Sequence, residues 1–218
     1  MSLELRRQLI ATAVAMNEQG INRGTSGNLS ARVADGMLIT PSGQPYAALR
    51  AEDLVFVDEQ GRPQGSRAPS SEWRFHLDIY RQRDDAQAVL HAHPVHCAAL
   101  ACMGRPLPAF HYMVAVAGGK DIRCAPYATF GSQQLSDHVI AALEGRKACL
   151  MANHGLVCLE SDLTRALELA LEVENLAHTY CQCLAVGEPR ILDDEEMARV
   201  VEKFRDYGAL AAARADND

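Results

Sequence analysis

Short apolar runs of strand type occupy the first and middle parts of this chain, long helical patterns occupy its end, and the two never alternate strictly. Successive parallel strands need a crossover, normally a helix, between them. The observed order therefore argues against a doubly wound parallel fold and for a mixed or antiparallel sheet flanked by helices.

The periodicities mark the elements. Residues 3–19 read as a helix, with Leu5, Leu9, Ala13 and Met16 on one stripe and Gly20 as its stop. Leu29–Val33 and Met37–Thr40 read as strands joined by the hairpin signal Ala34-Asp35-Gly36, and Leu54–Val57 as a third strand. Ser70-Ser71 opens a helix that carries Trp73, Leu77 and Tyr80 to about Arg83. Ala88–His93 and Ala148–Ala152 read as buried strands, and the apolar and aromatic content of His111–Val116 predicts another. Residues 132–144, 162–186 and 194–207 read as helices.

Two of these strands bring histidines with them. In a strand, side chains at i and i+2 point to the same side, so His91 and His93 lean over one point while Ala92 turns away. His154 closes the second run and is followed by Gly155. A lone histidine is usually a satisfied core or surface residue, but three at the ends of two strands suit a divalent metal. Zinc in a catalytic site takes three protein ligands and keeps an exchangeable fourth position. Glu72, in the first turn of its helix, could fill that position or act as a base, with Trp73 shielding it from water. His96 falls beyond Pro94 and leaves the strand. His76, His111, His138 and His178 have no comparable spacing and read as structural.

Three polar turns, Gly24–Asn28, Thr40–Gly43 and Pro69–Ser71, combine hydroxyls with glycines. Each alone is an ordinary connection, but together they could cradle a phosphate through backbone N–H groups, which needs no lysine. That suits a net charge of −7, which argues against nucleic acid or an anionic membrane as partner. No run reaches the roughly 18 apolar residues of a membrane span, and the N-terminus lacks a signal-peptide profile. The seven cysteines are odd in number and form no CxxC, so reduced cytoplasmic thiols are expected. Cys181-x-Cys183 sits in a helical pattern, where i and i+2 do not share a face.

The matching stretches identify a family resemblance. NRGTSGNLS (Asn22–Ser30), DGMLITPSGQPY (Asp35–Tyr46), PSSEWRFH (Pro69–His76), VLHAHPVH (Val89–His96), HYMVAVAGG (His111–Gly119), CAPYATFG (Cys124–Gly131), NHGL (Asn153–Leu156) and EKFRDYG (Glu202–Gly208) run in order over nearly the whole chain. They resemble the zinc-dependent class II aldolase/adducin-head superfamily, and HYM…AGG with CAPYATFG resembles its fuculose-phosphate branch.

The resemblance implies a three-layer αβα fold with a central, mainly antiparallel sheet. It implies one domain over residues 1–218, with a flexible C-terminal tail from about 207, assembled as a homotetramer with active sites at subunit interfaces. It implies one zinc per subunit on His91, His93 and His154, with Glu72 as fourth ligand at rest and as base once substrate displaces it. Thr25, Asn28, Ser42, Gly43, Ser70 and Ser71 fall where the family binds substrate phosphate. Tyr112 falls on a tyrosine that handles the aldehyde-side proton across a subunit boundary, and Phe130 and Tyr207 fall near the same mouth.

The implied reaction is reversible cleavage of a ketose 1-phosphate, such as L-fuculose 1-phosphate, to dihydroxyacetone phosphate and an aldehyde such as L-lactaldehyde. Lys120, Lys147 and Lys203 are the only lysines, and none sits in a recognisable Schiff-base site. The alternatives are a 5-deoxy- or 5-methylthio-pentulose 1-phosphate aldolase and a ribulose-5-phosphate 4-epimerase-like enzyme. A noncatalytic adducin-like module would be expected to have lost the histidines.

Overall fold

The structure is a computed structural model that describes the backbone of residues 2–215 and the side chains of residues 2–205. Ser2 caps the first helix, α1 (Leu3–Glu18), its hydroxyl accepting the Glu4 N–H at 3.2 Å, and Leu9, Ala13 and Met16 are buried as the stripe requires. Four strands follow: β1 (Asn28–Val33), β2 (Gly36–Ile39), β3 (Val55–Asp58) and the two-residue β4 (Pro63–Gln64). Next come α2 (Trp73–Gln82), β5 (Ala88–Ala92) and α3 (Val95–Cys102). The remainder is β6 (Arg123–Ala125), α4 (Gln133–Ala142), β7 (Ala148–Met151), β8 (Gly155–Glu160), α5 (Leu163–Val186) and α6 (Asp194–Ala215).

The eight strands form one sheet in the order β4-β3-β2-β1-β5-β8-β7-β6. Every neighbouring pair is antiparallel except β6 with β7. Alternation along the central strand assigns its two faces. Ala88, Leu90 and Ala92 pack into a core shared with α1, α3 and α5, whereas Val89 faces a second core built from α2 and α4. The expected three-layer αβα architecture is what forms.

One expectation fails locally, and one element is longer than expected. His111–Val116 is not a strand: Tyr112–Ala117 winds into a 3-10 helix, opened by the His111 imidazole accepting the Met113 N–H at 3.2 Å and closed by Gly118 at φ +87°. Val114, Ala115 and Ala117 are buried in the core that α5 shares, so the apolar content serves packing instead of strand pairing. The helix expected over 194–207 runs on to Ala215.

The register carries the site. Antiparallel pairing sets Asn28, the first residue of β1, directly opposite His91 near the end of β5. On the other side, β8 pairs Leu156 with Ala92, so the turn from β7 to β8 brings His154 to the same end of the sheet. Gly155 has to be glycine there, because a Cβ would lie 2.5 Å from the Ala92 carbonyl oxygen and 2.7 Å from the His93 ring. Asn153 takes the left-handed conformation at φ +55°, which asparagine tolerates better than most residues.

Candidate functional site

His91, His93 and His154 converge: each offers a ring nitrogen, and these atoms all lie within 4.8 Å of one another. The β5–β8 pairing decides which nitrogen His91 presents. Its Nδ1 lies 2.9 Å from the Leu156 carbonyl oxygen, an acceptor only, so Nδ1 carries the proton and Nε2 faces the cluster. His93 Nε2 stands 2.9 Å from that atom. Phe75 packs edge-on against the His91 ring, with centroids 5.7 Å apart, and holds it in place.

Glu72 caps α2 beneath these rings and is buried. Its Oε2 lies 3.1 Å from His91 Nε2 and accepts the Asn28 side-chain N–H at 3.0 Å. Its Oε1 lies 3.3 Å from His154 Nε2, yet it is buried without a hydrogen-bond partner. Trp73 does not provide the cover expected of it. Its ring lies against Gly61, and the Arg74 guanidinium sits 4.8 Å from the ring centroid.

The electrostatics follow from this crowding. Burial alone would push the Glu72 carboxyl up, but the imidazoles of His91 and His154 and the bond from Asn28 outweigh it and hold the group well below the usual carboxylate range. For His91, burial opposes the imidazolium and Glu72 favours it, with a net upward direction. Burial and repulsion from His91 bring His93 and His154 each down to about 4, so both are neutral at pH 7 with lone pairs available.

A divalent cation fits this set. Three imidazole nitrogens converge, and a buried anionic oxygen has no partner, a condition that is costly unless a positive charge satisfies it. These four groups could hold the ion.

The polar turns also assemble beside Glu72. Thr40 takes the Leu29 N–H on its hydroxyl at 3.2 Å, and its carbonyl accepts the Ser70 N–H at 3.1 Å. Ser42 N–H donates to the Ala68 carbonyl at 3.1 Å, and Ser70 Oγ accepts the Glu72 N–H at 3.3 Å. The turns after α1, after β2 and before α2 are thereby tied together. Thr25, Ser42, Gly43 and Ser71 are exposed on them, and Ser70 is buried. Asn28 differs from its companions: it is only 3% exposed and its amide is already committed to Glu72.

The aromatic residues stand elsewhere. Tyr112 is 52% exposed, stacks on His111 with centroids 4.9 Å apart, and lines a cavity of about 740 Å³ with Phe110, Leu192, Val200 and Phe204. Phe130 is 64% exposed. Among the described residues no hydrogen bond or ring contact links either to His91, His93 or His154, and the Tyr207 side chain lies outside the described residues. His76, set aside in the sequence as structural, is fully buried and bonded to Asn28. Its position one helical turn after Glu72 was the available signal.

The Class II Aldolase and Adducin N-terminal domain family matches residues 7–181. The chain is 55% identical over 206 residues to the 5-methylthioribulose-1-phosphate/5-deoxyribulose-1-phosphate aldolase of Rhodospirillum rubrum, covering 94% of this chain and 93% of that protein. It is 52% identical over 206 residues to the L-fuculose phosphate aldolase of Escherichia coli K12, covering 94% and 96%. A solved L-fuculose 1-phosphate aldolase superposes with a TM-score of 0.91 at 43% identity, covering 94% of this chain and 98% of that one.

Proposed function

The chain belongs to the class II aldolase and adducin N-terminal domain family, and we propose that it is a zinc-dependent aldolase cleaving a ketose 1-phosphate to dihydroxyacetone phosphate and an aldehyde. The observation that carries this reading is the convergence of three imidazole nitrogens beside the unpartnered Oε1 of Glu72. A binding module would have no use for a buried, unsatisfied carboxylate.

His91, His93 and His154 would hold the zinc, with Glu72 completing the set at rest. When bound, the ion would stabilise as a Lewis acid the negative charge that carbon–carbon cleavage leaves on the dihydroxyacetone-phosphate half. The residues of the chain supply the rest. Thr25, Asn28, Ser42, Gly43, Ser70 and Ser71 would bind the phosphate and fix the carbonyl end of the substrate. Glu72 would deliver a proton to C3 in cleavage and remove it in condensation. Tyr112 would take the C4 hydroxyl proton in cleavage, reaching the site of a neighbouring subunit in a homotetramer. Phe130 and Tyr207 would border the aldehyde. The chain would act as one domain, in the cytoplasm.

For the aldehyde half there are two readings. L-Fuculose 1-phosphate, releasing L-lactaldehyde, suits the HYM…AGG and CAPYATFG stretches. A 5-deoxy- or 5-methylthio-pentulose 1-phosphate is favoured by the 55% identity to an aldolase named for those substrates. Both give the same phosphorylated product. The test is a coupled assay for dihydroxyacetone phosphate with fuculose, rhamnulose, 5-deoxyribulose and 5-methylthioribulose 1-phosphates and ribulose 5-phosphate, using zinc-loaded protein. Release from at least one 1-phosphate is expected, and the ratio of kcat/KM ranks the aldehydes. Epimerised product from ribulose 5-phosphate, with no release from any 1-phosphate, would overturn the reading.

A further inference from the structure

Behind Glu72 a file of buried polar side chains leads away from the histidines. Glu72 Oε2 accepts from Asn28 Nδ2 at 3.0 Å, and Asn28 Oδ1 lies 2.5 Å from His76 Nε2. His76 Nδ1 lies 2.7 Å from Ser30 Oγ, and Ser30 Oγ lies 2.8 Å from the Tyr80 hydroxyl. Exposure is 0% for Ser30 and His76, 3% for Asn28 and 4% for Tyr80, so the chain's own groups must satisfy one another.

Valence then fixes every proton. An ionised carboxylate only accepts, so Asn28 turns its NH2 to Glu72 and its carbonyl to His76. His76 must therefore donate from Nε2, which leaves Nδ1 as an acceptor. Ser30 gives its single proton to Nδ1 and receives that of Tyr80. All four donors point toward the carboxylate.

We infer that His76 is a positioning residue for Glu72: its Nε2–H pins the Asn28 amide with the NH2 facing the carboxylate, and Ser30, backed by Tyr80, selects the tautomer that allows it. In the other tautomer His76 Nε2 would accept, the amide would turn over, and Asn28 Oδ1 would face Glu72 Oε2 as two acceptors in contact. The file thus holds Oε2 and leaves Oε1 free on the histidine side, the oxygen that would meet the metal and the substrate proton. Asn28 then acts on the carboxylate at least as directly as on phosphate. The inference rests on the role of Glu72 proposed above.

Two measurements need no substrate. Nitrogen-15 NMR of the unmodified full chain, metal-free and zinc-loaded, should show His76 neutral with its proton on Nε2; a proton on Nδ1 overturns the proposal whatever the activity. Competition of zinc against a chelator should show weaker binding by about 10–100-fold in His76→Phe, the usual loss when a group supporting a metal ligand is removed. The substitution keeps an aromatic ring stacked on Phe75, whose centroid is 4.7 Å from that of His76.

In zinc-loaded protein, kcat for cleavage and the solvent exchange rate of dihydroxyacetone phosphate should fall about 10–100-fold in the same variant, with KM within about twofold. Tyr80→Phe leaves Ser30 able to donate and should cost less than about threefold in each. Unchanged zinc affinity and kcat in folded His76→Phe, or equal losses in both variants, would overturn the proposal. If His76→Phe does not fold, the tautomer alone decides. If the unmodified protein cleaves no ketose 1-phosphate, the functional reading fails while the tautomer and zinc measurements still judge the positioning role.

Discussion

The two halves of the candidate site are built in opposite ways. The histidine half sits at the end of the central strands, where His91 is fully buried, bonded through Nδ1 to β8 and wedged by Phe75. The aromatic half stands on connections: Tyr112 opens a 3-10 helix and Phe130 lies between β6 and α4, both exposed. One half is fixed by the same bonds that make the sheet, and the other stands exposed, where in the proposed homotetramer a neighbouring subunit would complete it. On the proposed function, the chemistry of the phosphorylated product would be set by the core, while the residues that would meet the variable aldehyde could change without disturbing it.

The contrast can be broken most directly from the histidine side. His91→Ala should abolish stoichiometric zinc, measured by elemental analysis, and lower kcat/KM by about a thousandfold or more, the equivalent of ~4 kcal/mol of transition-state stabilisation. Full zinc retention would remove His91 from the ligand set. Tyr112→Phe should slow cleavage about 100-fold. It should leave zinc content, melting temperature and dihydroxyacetone phosphate exchange largely unchanged, because the side chain is more than half exposed. Equal loss of cleavage and exchange would mean that the two halves do not divide the reaction.

A smaller effect tests the turns. Ser70→Ala removes a hydroxyl that also accepts the Glu72 N–H. It should raise KM for the ketose phosphate by about tenfold, in line with a hydrogen bond to a charged group; an unchanged KM would take Ser70 out of the phosphate set.

The smallest expected effect is on acid stability of the metal-free protein. Histidines of the unfolded chain take up protons near 6.5, whereas folded His93 and His154 hold out to about 4. Between those values the unfolded state binds more protons, so their contribution is present above about 6.5 and is lost as pH falls toward 4. His91 runs the other way: its folded pKa is raised, so its contribution is present below its ordinary value and is lost as pH rises through the folded one. Burial holds His76 down to about 3 as well, so three groups stand against one, and the melting temperature should drop between pH 7 and pH 5. His154→Gln should flatten that drop, while Tyr112→Phe should leave its slope unchanged; a slope that Tyr112→Phe alters would couple the halves.

Much of this was legible in the sequence. The stripe of α1, the hairpin of β1 and β2, the serines opening α2 and the apolar run before His91 are local patterns, and local hydrogen bonding and burial realise them as read. β8 was not legible. Gly155–Glu160 is almost continuously buried between β5 and β7, so it shows no alternation to reveal a strand. β6 is three residues long and makes the only parallel pairing among the described residues, too short for any period. His111–Val116 misled because aromatic and apolar content fits a strand and a packed 3-10 helix equally. His76 was passed over because its partner Asn28 lies 48 residues away.

By itself the sequence determined that His91 and His93 share a side, since strand geometry repeats every two residues, and that hydroxyl-rich turns recur along the chain, one of them directly before Glu72. Only the tertiary structure decided which nitrogen His91 presents, which way Asn28 turns its amide and which oxygen of Glu72 is left without a partner. Those choices belong to hydrogen bonds between distant segments, where a donor's direction depends on the group that folding sets against it.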